Sequence, residues 1–224
     1  MFKSLKSTRA GLISATIAVV LPAAGTMEAA ARTNVTSGNN TVTLSNNLAS
    51  ATFSSGKAFD ILEMSHGGSR NLVTPGSNLE PWTITYRGNQ GETPQVSPKT
   101  SIYKGYTQER NDTATVLHFL WDTKLVYSDK THPVEMTVSL ADNSPLLAWN
   151  ISADLPQGWE VTEIAFPTVA ITPPENAKVI IPAGWGNEYK LRADTVYNAN
   201  YPSWSASMQM LMVCLLYTSP SPRD

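Results

Sequence analysis

The chain has 224 residues, with 16 lysines and arginines against 18 aspartates and glutamates, for a formal net charge of −2. This near-neutral balance, without runs of like charge, does not give the electrostatic footprint of a nucleic-acid-binding protein. Hydrophobic residues make up 42% of the chain, enough for a buried core, and the length corresponds to one domain with at most the start of a second. The 15 prolines and 13 glycines are typical of a turn-rich β protein.

Residues 1–31 have the three parts of a secretory signal peptide. A basic start precedes an apolar core, Leu12–Leu21, and Ala29–Ala31 provides a small-residue cleavage site, with Ala23–Gly25 as an earlier option. The apolar run is shorter than the ~20 residues that span a bilayer as a helix. We therefore predict a secreted or periplasmic protein with no membrane span after cleavage.

Short segments with alternating apolar residues, separated by turn signals, run through residues 32–213. Val134–Leu140 alternates cleanly, and Asp142–Pro145 is predicted to turn it into a hairpin with Leu146–Ile151. Trp82–Arg87 also alternates, whereas Thr113–Trp121 is apolar on both faces, as expected for a strand between two layers. Roughly ten short strands predict an all-β fold, a two-layer antiparallel β-sandwich, which could be large and curved with a concave sheet.

No standard catalytic or metal-binding motif is present, and the three histidines are far apart in the sequence. His118, in the strand LHFLW, is better interpreted as a satisfied, half-buried histidine than as a ligand. His66 lies in a glycine-rich turn, and His132 is expected to face solvent at the start of a strand. We predict no metal, no cofactor and no catalytic residue in this chain.

Glycoside hydrolysis requires two carboxylates about 5–10 Å apart. The available acidic candidates are Glu160, Glu163, Glu175, Glu188 and Asp194. Glu160 and Glu163 are three residues apart on a predicted strand, which places them on opposite faces rather than together. Most of these groups are expected to be solvated surface carboxylates. Glu188, in GWGNEY, has the most distinctive surroundings.

The stretch Val179–Gln209 sets large aromatic residues among glycines, prolines and amides. Sugars offer flat C–H faces to aromatic rings and hydroxyls to amides and carboxylates, so this mixture favours a carbohydrate-facing segment. The alternative is contact with another domain, because interface cores also favour Trp and Tyr. The candidate carbohydrate-binding residues are Trp185, Glu188, Tyr201 and Trp204. The tryptophans predicted to lie in the core are Trp82, Trp121, Trp149 and Trp159.

Several short motifs resemble a known family. They are Phe166-Pro167 closing a strand, IIPAGWG at Ile180–Gly186 and YPSWSASMQ at Tyr201–Gln209, while Thr41–Val73 is similar to the opening strands of a galactose-mutarotase-like supersandwich. Together they resemble the N-terminal β-sandwich of large secreted bacterial proteins in which a glycoside-hydrolase-like (β/α)8 barrel follows. The resemblance implies that catalytic acids lie on the barrel, outside this chain.

The last eleven residues, Cys214–Asp224, read CLLYTSPSPRD and resemble one translated reading frame of an adapter used to prepare sequencing libraries. The natural alternative is a disordered terminus. We therefore expect a sandwich domain at residues 32–213, cut short before its catalytic domain, with an artificial tail at 214–224. The 32–213 segment has no cysteine and so no disulfide.

The leading hypothesis is a non-catalytic sandwich module of an exported glycoside-hydrolase-like protein, with a carbohydrate and the missing C-terminal catalytic domain as its partners. A stand-alone carbohydrate-binding or adhesion module is the first alternative. A mutarotase-like epimerase or lyase is the second, and it requires a histidine and carboxylate cluster in one concave site.

Overall fold

The computed structural model describes residues 12–19, 32–56, 58–67, 71–76, 79–125, 130–172, 177–181, 187–190 and 212–214. These residues divide into two units, one ending at Ile171 and the other starting at Thr172. Apart from a 3-10 turn at Pro98–Thr100, the regular elements described are antiparallel strands, which confirms the all-β prediction. The strands are β1 Leu12–Val19, β2 Asn34–Gly38, β3 Thr41–Ser45, β4 Ala49–Ser54, β5 Ile61–His66, β6 Thr83–Gly88, β7 Gln95–Val96, β8 Ile102–Arg110, β9 Ala114–Lys124, β10 Thr131–Ala141, β11 Leu147–Asp154, β12 Trp159–Ala165, β13 Lys178–Ile181, β14 Asn187–Lys190 and β15 Met212–Cys214.

The first unit contains three antiparallel sheets with one shared core. A five-stranded sheet has the order β1-β11-β10-β9-β8, a four-stranded sheet the order β2-β3-β4-β5, and a three-stranded sheet the order β12-β6-β7. Phe53 of β4 packs against the five-stranded sheet, with its ring centroid 5.1 Å from that of Phe119 and 5.6 Å from that of Trp149. Because these rings belong to facing sheets, they form the middle layer of a sandwich, as the sequence predicts.

Three of the four tryptophans predicted to be buried lie fully in this core, namely Trp82, Trp121 and Trp149. The rings of Trp82 and Trp121 meet edge-to-face at 5.4 Å, which joins the segment before β6 to the five-stranded sheet. Trp159, at the start of β12, is half-buried and packs against the cluster. The prediction therefore holds for the first three, and Trp159 lies at the margin of the core.

The predicted hairpin is formed by β10 and β11, which pair from Val134↔Ala153 to Leu140↔Leu147 without a register shift. The apolar positions of β10 that alternate in the sequence are all inaccessible to solvent: Val134, Met136, Val138 and Leu140. The interpretation of Thr113–Trp121 as a strand covered on both faces is wrong. In β9 only alternate residues are buried, and Leu120 on the other face is 39% exposed.

The five-stranded sheet begins with a segment that the sequence assigns to the leader. β1 pairs antiparallel with β11 over its whole length, from Leu12↔Asp154 to Val19↔Leu147. The chain as written thus places the apolar core of the predicted signal peptide at the edge of the sandwich. Cleavage and export remain predictions.

The second unit, as described, is a three-stranded sheet of order β14-β13-β15. Its pairs run from Lys178↔Lys190 to Ile181↔Asn187 and from Lys178↔Cys214 to Ile180↔Met212. Within the described ranges, no helix combines the length and apolarity needed to cross a membrane.

Candidate functional site

A cluster of polar side chains in the described residues lies on the side of the five-stranded sheet that faces away from the core. We call this surface the outer face and define it by the residues of β9–β11 that alternate with buried neighbours, together with the residues of β8 that lie beside them. They are Ile102, Lys104, Thr107, Glu109, Val116, His118, Leu120, Asp122, Glu135, Thr137, Ser139, Ala148, Asn150 and Ser152. Strand alternation and the antiparallel register together place these side chains on one surface.

His118 stands near the middle of the outer face with a carboxylate on each side. Its Nδ1 lies 2.7 Å from Oε1 of Glu135 on β10. Its Nε2 is shielded from solvent and lies 3.5 Å from Oε2 of Glu109 on β8, too far for a strong hydrogen bond. The side chain of His118 is 26% exposed. His118 is half-buried as the sequence predicts, but its hydrogen-bonding capacity is satisfied at Nδ1 and, within the described part of the chain, not at the shielded Nε2.

Apolar and charged groups flank this cluster. Lys104 Nζ lies 3.2 Å from Asp122 Oδ2, forming a cross-strand ion pair. Leu120 is 39% exposed and Ile102 is 66% exposed on the same surface. A surface that combines hydrogen-bonding side chains with exposed hydrocarbon has the chemistry required to contact a sugar.

The other two histidines do not join His118. His132 and His118 are both on the β9–β10 pair, but His132 is opposite Thr123, whose side chain is buried, so it lies on the other side of the sheet. His66 ends β5 in the four-stranded sheet, opposite Ala49. The described residues therefore do not bring together the histidine set that a mutarotase-like epimerase requires.

Glu160 and Glu163 lie on one face of β12, so the prediction that they are on opposite faces is wrong. The pairing with β6 shifts between Val161 and Glu163, a β-bulge that places Glu160 opposite Arg87 and Glu163 opposite Thr85. Because the bulge adds one residue to β12, Glu160 and Glu163 pair with residues of β6 that are only two positions apart. Two positions span about 6.5–7 Å along a strand. Glu160 is bound by the guanidinium of Arg87.

A third polar cluster fixes the start of the sandwich. Thr33 N–H donates to Asp142 Oδ1 over 2.8 Å, and Arg110 donates to both oxygens of the same carboxylate at 2.8 and 2.6 Å. These hydrogen bonds, that of Arg110 first, hold the pKa of Asp142 well below its usual range. Because β8, the β10–β11 turn and residue 33 are all joined here, the role of this cluster is structural.

Among the residues predicted to bind carbohydrate, Glu188 is within the described part of the chain. It is exposed on β14, and its Oε1 lies 2.6 Å from Nζ of Lys178 on β13. The neighbouring Tyr189 is 43% exposed. The predictions for Trp185, Tyr201 and Trp204 fall outside the described residues.

Sequence reasoning did not single out Glu109 and Glu135. The alternation of β10 showed that Glu135 points away from the core, but which strand lies beside it depends on the sheet register. No group of three or more histidine, cysteine, aspartate or glutamate residues in the described ranges is arranged to hold a metal ion.

Comparison with known proteins gives one informative similarity. No family model matches the chain. Over 203 residues, 91% of its length, the chain is 34% identical to a Bacteroides thetaiotaomicron protein named "Putative glycoside hydrolase". The match occupies 30% of that protein, so the chain spans less than a third of the length of the curated relative it matches.

Proposed function

We propose that this chain is the N-terminal, non-catalytic β-sandwich module of a longer exported glycoside-hydrolase-like protein. In that arrangement the catalytic groups belong to a domain outside this sequence, and the sandwich supports that domain or helps to present a carbohydrate to it. The catalytic domain of the same polypeptide and an oligo- or polysaccharide are then its partners.

The observation that carries this proposal is the extent of the similarity. The match takes in 91% of this chain but only 30% of a protein named as a glycoside hydrolase. The first unit of this chain folds as antiparallel sheets around a shared core. A glycoside-hydrolase-related β domain accounts for both facts, and the remaining length of the relative leaves room for a separate catalytic domain.

The surroundings of the carboxylates support a non-catalytic role. A glycosidase acid must be held in its neutral form until it gives its proton to the leaving group. Five carboxylates of the described residues are instead paired with a lysine or arginine, which favours their ionised form. These pairs are Arg87–Glu160, Lys99–Glu80, Lys104–Asp122, Arg110–Asp142 and Lys178–Glu188.

The β13–β14 segment supports carbohydrate contact within the module. Glu188 is exposed and its carboxylate is oriented by Lys178, so one of its oxygens can accept hydrogen bonds from sugar hydroxyls. Tyr189 offers a partly exposed ring beside it. With Trp185, Tyr201 and Trp204 nearby in the sequence, we propose that this segment contributes the carbohydrate contact.

Sequencing across the intact gene tests the modular part of the proposal. We expect the reading frame to continue past residue 213 into alternating β and α segments, which are the pattern of a (β/α)8 barrel. A natural stop codon directly after residue 224, or a continuation without that alternation, would overturn it.

A stand-alone carbohydrate-binding module is the second candidate, and the outer face is the observation that favours it. His118, Glu135 and the exposed Leu120 place polar and apolar groups side by side on this surface. Under this alternative, titration of the isolated protein with a glycan panel would show binding that Glu135→Gln weakens, while Glu188→Gln leaves it unchanged. The proposed module predicts the reverse order of effects.

A further inference from the structure

The free side of β11 would be exposed if the predicted leader is removed. In the chain as written, β1 covers this side through eight consecutive residue pairs without a register shift. β1 lies entirely within residues 1–31, the segment that export is predicted to remove. After cleavage, β11 would become an edge strand with unpaired backbone N–H and C=O groups along its length.

The two edges of the five-stranded sheet differ in a way that bears on partner binding. β8, the opposite edge, has charged residues such as Lys104 and Glu109 and a register shift between Tyr103 and Gly105. Gly105 has a φ of +107°, so this bulge depends on a residue without a side chain. Charges and bulges are devices that stop an edge from pairing with another chain.

β11 has none of these devices before its last residue. Its sequence, LAWNISAD, contains no lysine, arginine, proline or glycine, and Asp154 is its one charge. It pairs with β10 in regular register throughout. Its inner residues Leu147, Trp149 and Ile151 are fully buried, so the strand at this edge is part of the core. An eight-residue edge of this kind is suited to being paired.

We propose that β11 of the leader-free chain is a dimerisation strand, which pairs antiparallel with β11 of a second copy around a two-fold axis. A register centred on Asn150 sets Trp149 of one copy opposite Ile151 of the other and Leu147 opposite Ala153. The buried faces of the two sheets then lie on the same side, and strands β8–β11 of both copies form one continuous sheet. The proposal rests on cleavage of the leader, which the proposed function shares through export, and it does not depend on carbohydrate contact or on a catalytic domain.

A second copy fits this edge for two reasons. Two-fold pairing of a strand with itself satisfies the free backbone groups of both copies at once, and closed two-fold dimers are the commonest soluble assemblies. The β1–β11 pairing already shows that the edge accepts an antiparallel strand with apolar residues at alternate register positions. Ile13, Ala15 and Ile17 stand opposite Ala153, Ile151 and Trp149.

The test compares the full chain with the chain that starts at Arg32, by sedimentation velocity over a range of concentrations. We expect a monomer for the full chain, since β1 occupies the edge, and a concentration-dependent dimer for the leader-free chain. Hydrogen exchange should slow in Leu147–Asp154 as the dimer forms. A leader-free chain that stays monomeric would overturn the proposal, whether its β11 amides are exposed or are covered by another segment of the chain.

Charge substitutions make the test specific to the edge. Asn150→Lys places two lysines face to face across the axis and should raise the dimer Kd by about tenfold or more, because like charges directly opposite destabilise a strand pair. Part of the loss should be recovered in 1 M NaCl, where the Debye length is about 3 Å.

Ser152→Lys serves as a second edge variant if Asn150→Lys perturbs folding. Ser139→Lys adds the same charge to the outer face on β10, away from the edge, and should leave the Kd unchanged. Equal effects of the edge and control variants would overturn the proposal.

Discussion

Nδ1 of His118 lies 2.7 Å from Oε1 of Glu135, across the neighbouring strands β9 and β10. A neutral imidazole has one N–H and one lone pair, and a carboxylate partner selects the tautomer that donates to it. In the neutral ring the contact therefore assigns the proton to Nδ1, and the lone pair is on Nε2, which has no hydrogen-bond partner among the described residues.

We predict that Glu135→Gln removes this tautomer preference. In the parent protein, two-bond ¹H–¹⁵N correlation spectra at a pH where the ring is neutral should show His118 mainly as the Nδ1–H form. In Glu135→Gln the population of the Nε2–H form should rise, because the acceptor at Nδ1 loses its charge. Glu109→Gln is the matched control, since its oxygen is 3.5 Å from Nε2, and it should leave the tautomer unchanged. A dominant Nε2–H form in the parent protein would contradict the assignment.

A second prediction concerns acid stability. The pKa of Asp142 is lowered in the folded protein, chiefly by Arg110, so the unfolded state binds the proton more readily. An unfolded aspartate has a pKa of about 3.9, so this contribution is present above about pH 4 and is lost as the pH falls further. Asp142→Asn should lower the urea midpoint at pH 7 and flatten its decline below pH 4. Asp122→Asn, which removes an exposed ion pair with Lys104, should change the midpoint little. Identical urea profiles for both variants would count against the role of Asp142.

The third prediction concerns Asn46, whose side chain joins the turn between β3 and β4 to the turn between β10 and β11. Its amide donates to the carbonyls of Ala141 and Ser144 at 2.8 and 3.0 Å, and its Oδ1 accepts from the N–H groups of Leu48 and Ala49, both at 2.8 Å. At about 1 kcal/mol net for each bond, Asn46→Ala should lower the free energy of unfolding by about 2–4 kcal/mol. Urea unfolding with an unchanged m-value measures this.

Two further variants separate the contributions of Asn46. Asn46→Asp keeps the acceptor but loses the amide donors, so it should be about as destabilising as Asn46→Ala. Asn111→Ala is the control, because the side chain of Asn111 bonds only within its own turn, to Thr113 and Ala114. If Asn46→Asp were as stable as the parent, the hydrogen bonds that the Asn46 amide donates to the other turn would not contribute to stability.

A fourth prediction tests the layer between the sheets. Phe53 contacts the rings of Phe59, Phe119 and Trp149, and it is inaccessible to solvent. Phe53→Ala should cost about 3–5 kcal/mol of unfolding free energy, the usual range for deleting a buried phenylalanine. Ile102→Ala, at a site 66% exposed, should stay within about 0.5 kcal/mol of the parent. Thermal or urea unfolding measures both values. Similar losses of unfolding free energy in the two variants would contradict the placement of Phe53 in a core between the sheets.

The fifth prediction concerns carbohydrate contact. Calorimetric titration of the leader-free chain with an oligosaccharide panel should detect binding that weakens in Trp204→Ala, Trp185→Ala and Glu188→Gln. The loss follows from removing ring faces that cover sugar C–H groups, and from removing a charged acceptor. Glu160→Gln is the matched control, because Glu160 is also an exposed strand carboxylate paired with a cation. If none of the glycans in the panel gives a measurable heat of binding, a carbohydrate-binding role is excluded.

Much of the fold can be read from the sequence, because strand alternation is a local property. Val134, Met136, Val138 and Leu140 are spaced by two and are all buried in β10, and the turn residues after them produce the hairpin. Burial of Trp82, Trp121 and Trp149 likewise follows from large rings within strands or directly before them. These features depend only on neighbouring residues.

Features that depend on pairing between distant strands could not be predicted. The bulge that brings Glu160 and Glu163 to one face of β12 is set by the register with β6, more than 70 residues earlier. The contact of His118 with Glu135 and the position of β1 beside β11 are set in the same way. For β9, the apolar residues on both sides of the strand indicated two covered faces, although one of the faces is only partly buried.

The non-catalytic role of this module is tested by comparing glycoside hydrolysis by the leader-free chain with hydrolysis by the extended polypeptide from the uninterrupted gene. A panel of aryl glycosides gives a turnover rate for each protein under the same conditions. We expect no turnover by the chain alone and measurable turnover by the extended protein. Turnover by the chain alone, abolished by Glu135→Gln, Glu160→Gln or Glu163→Gln, would contradict the non-catalytic role.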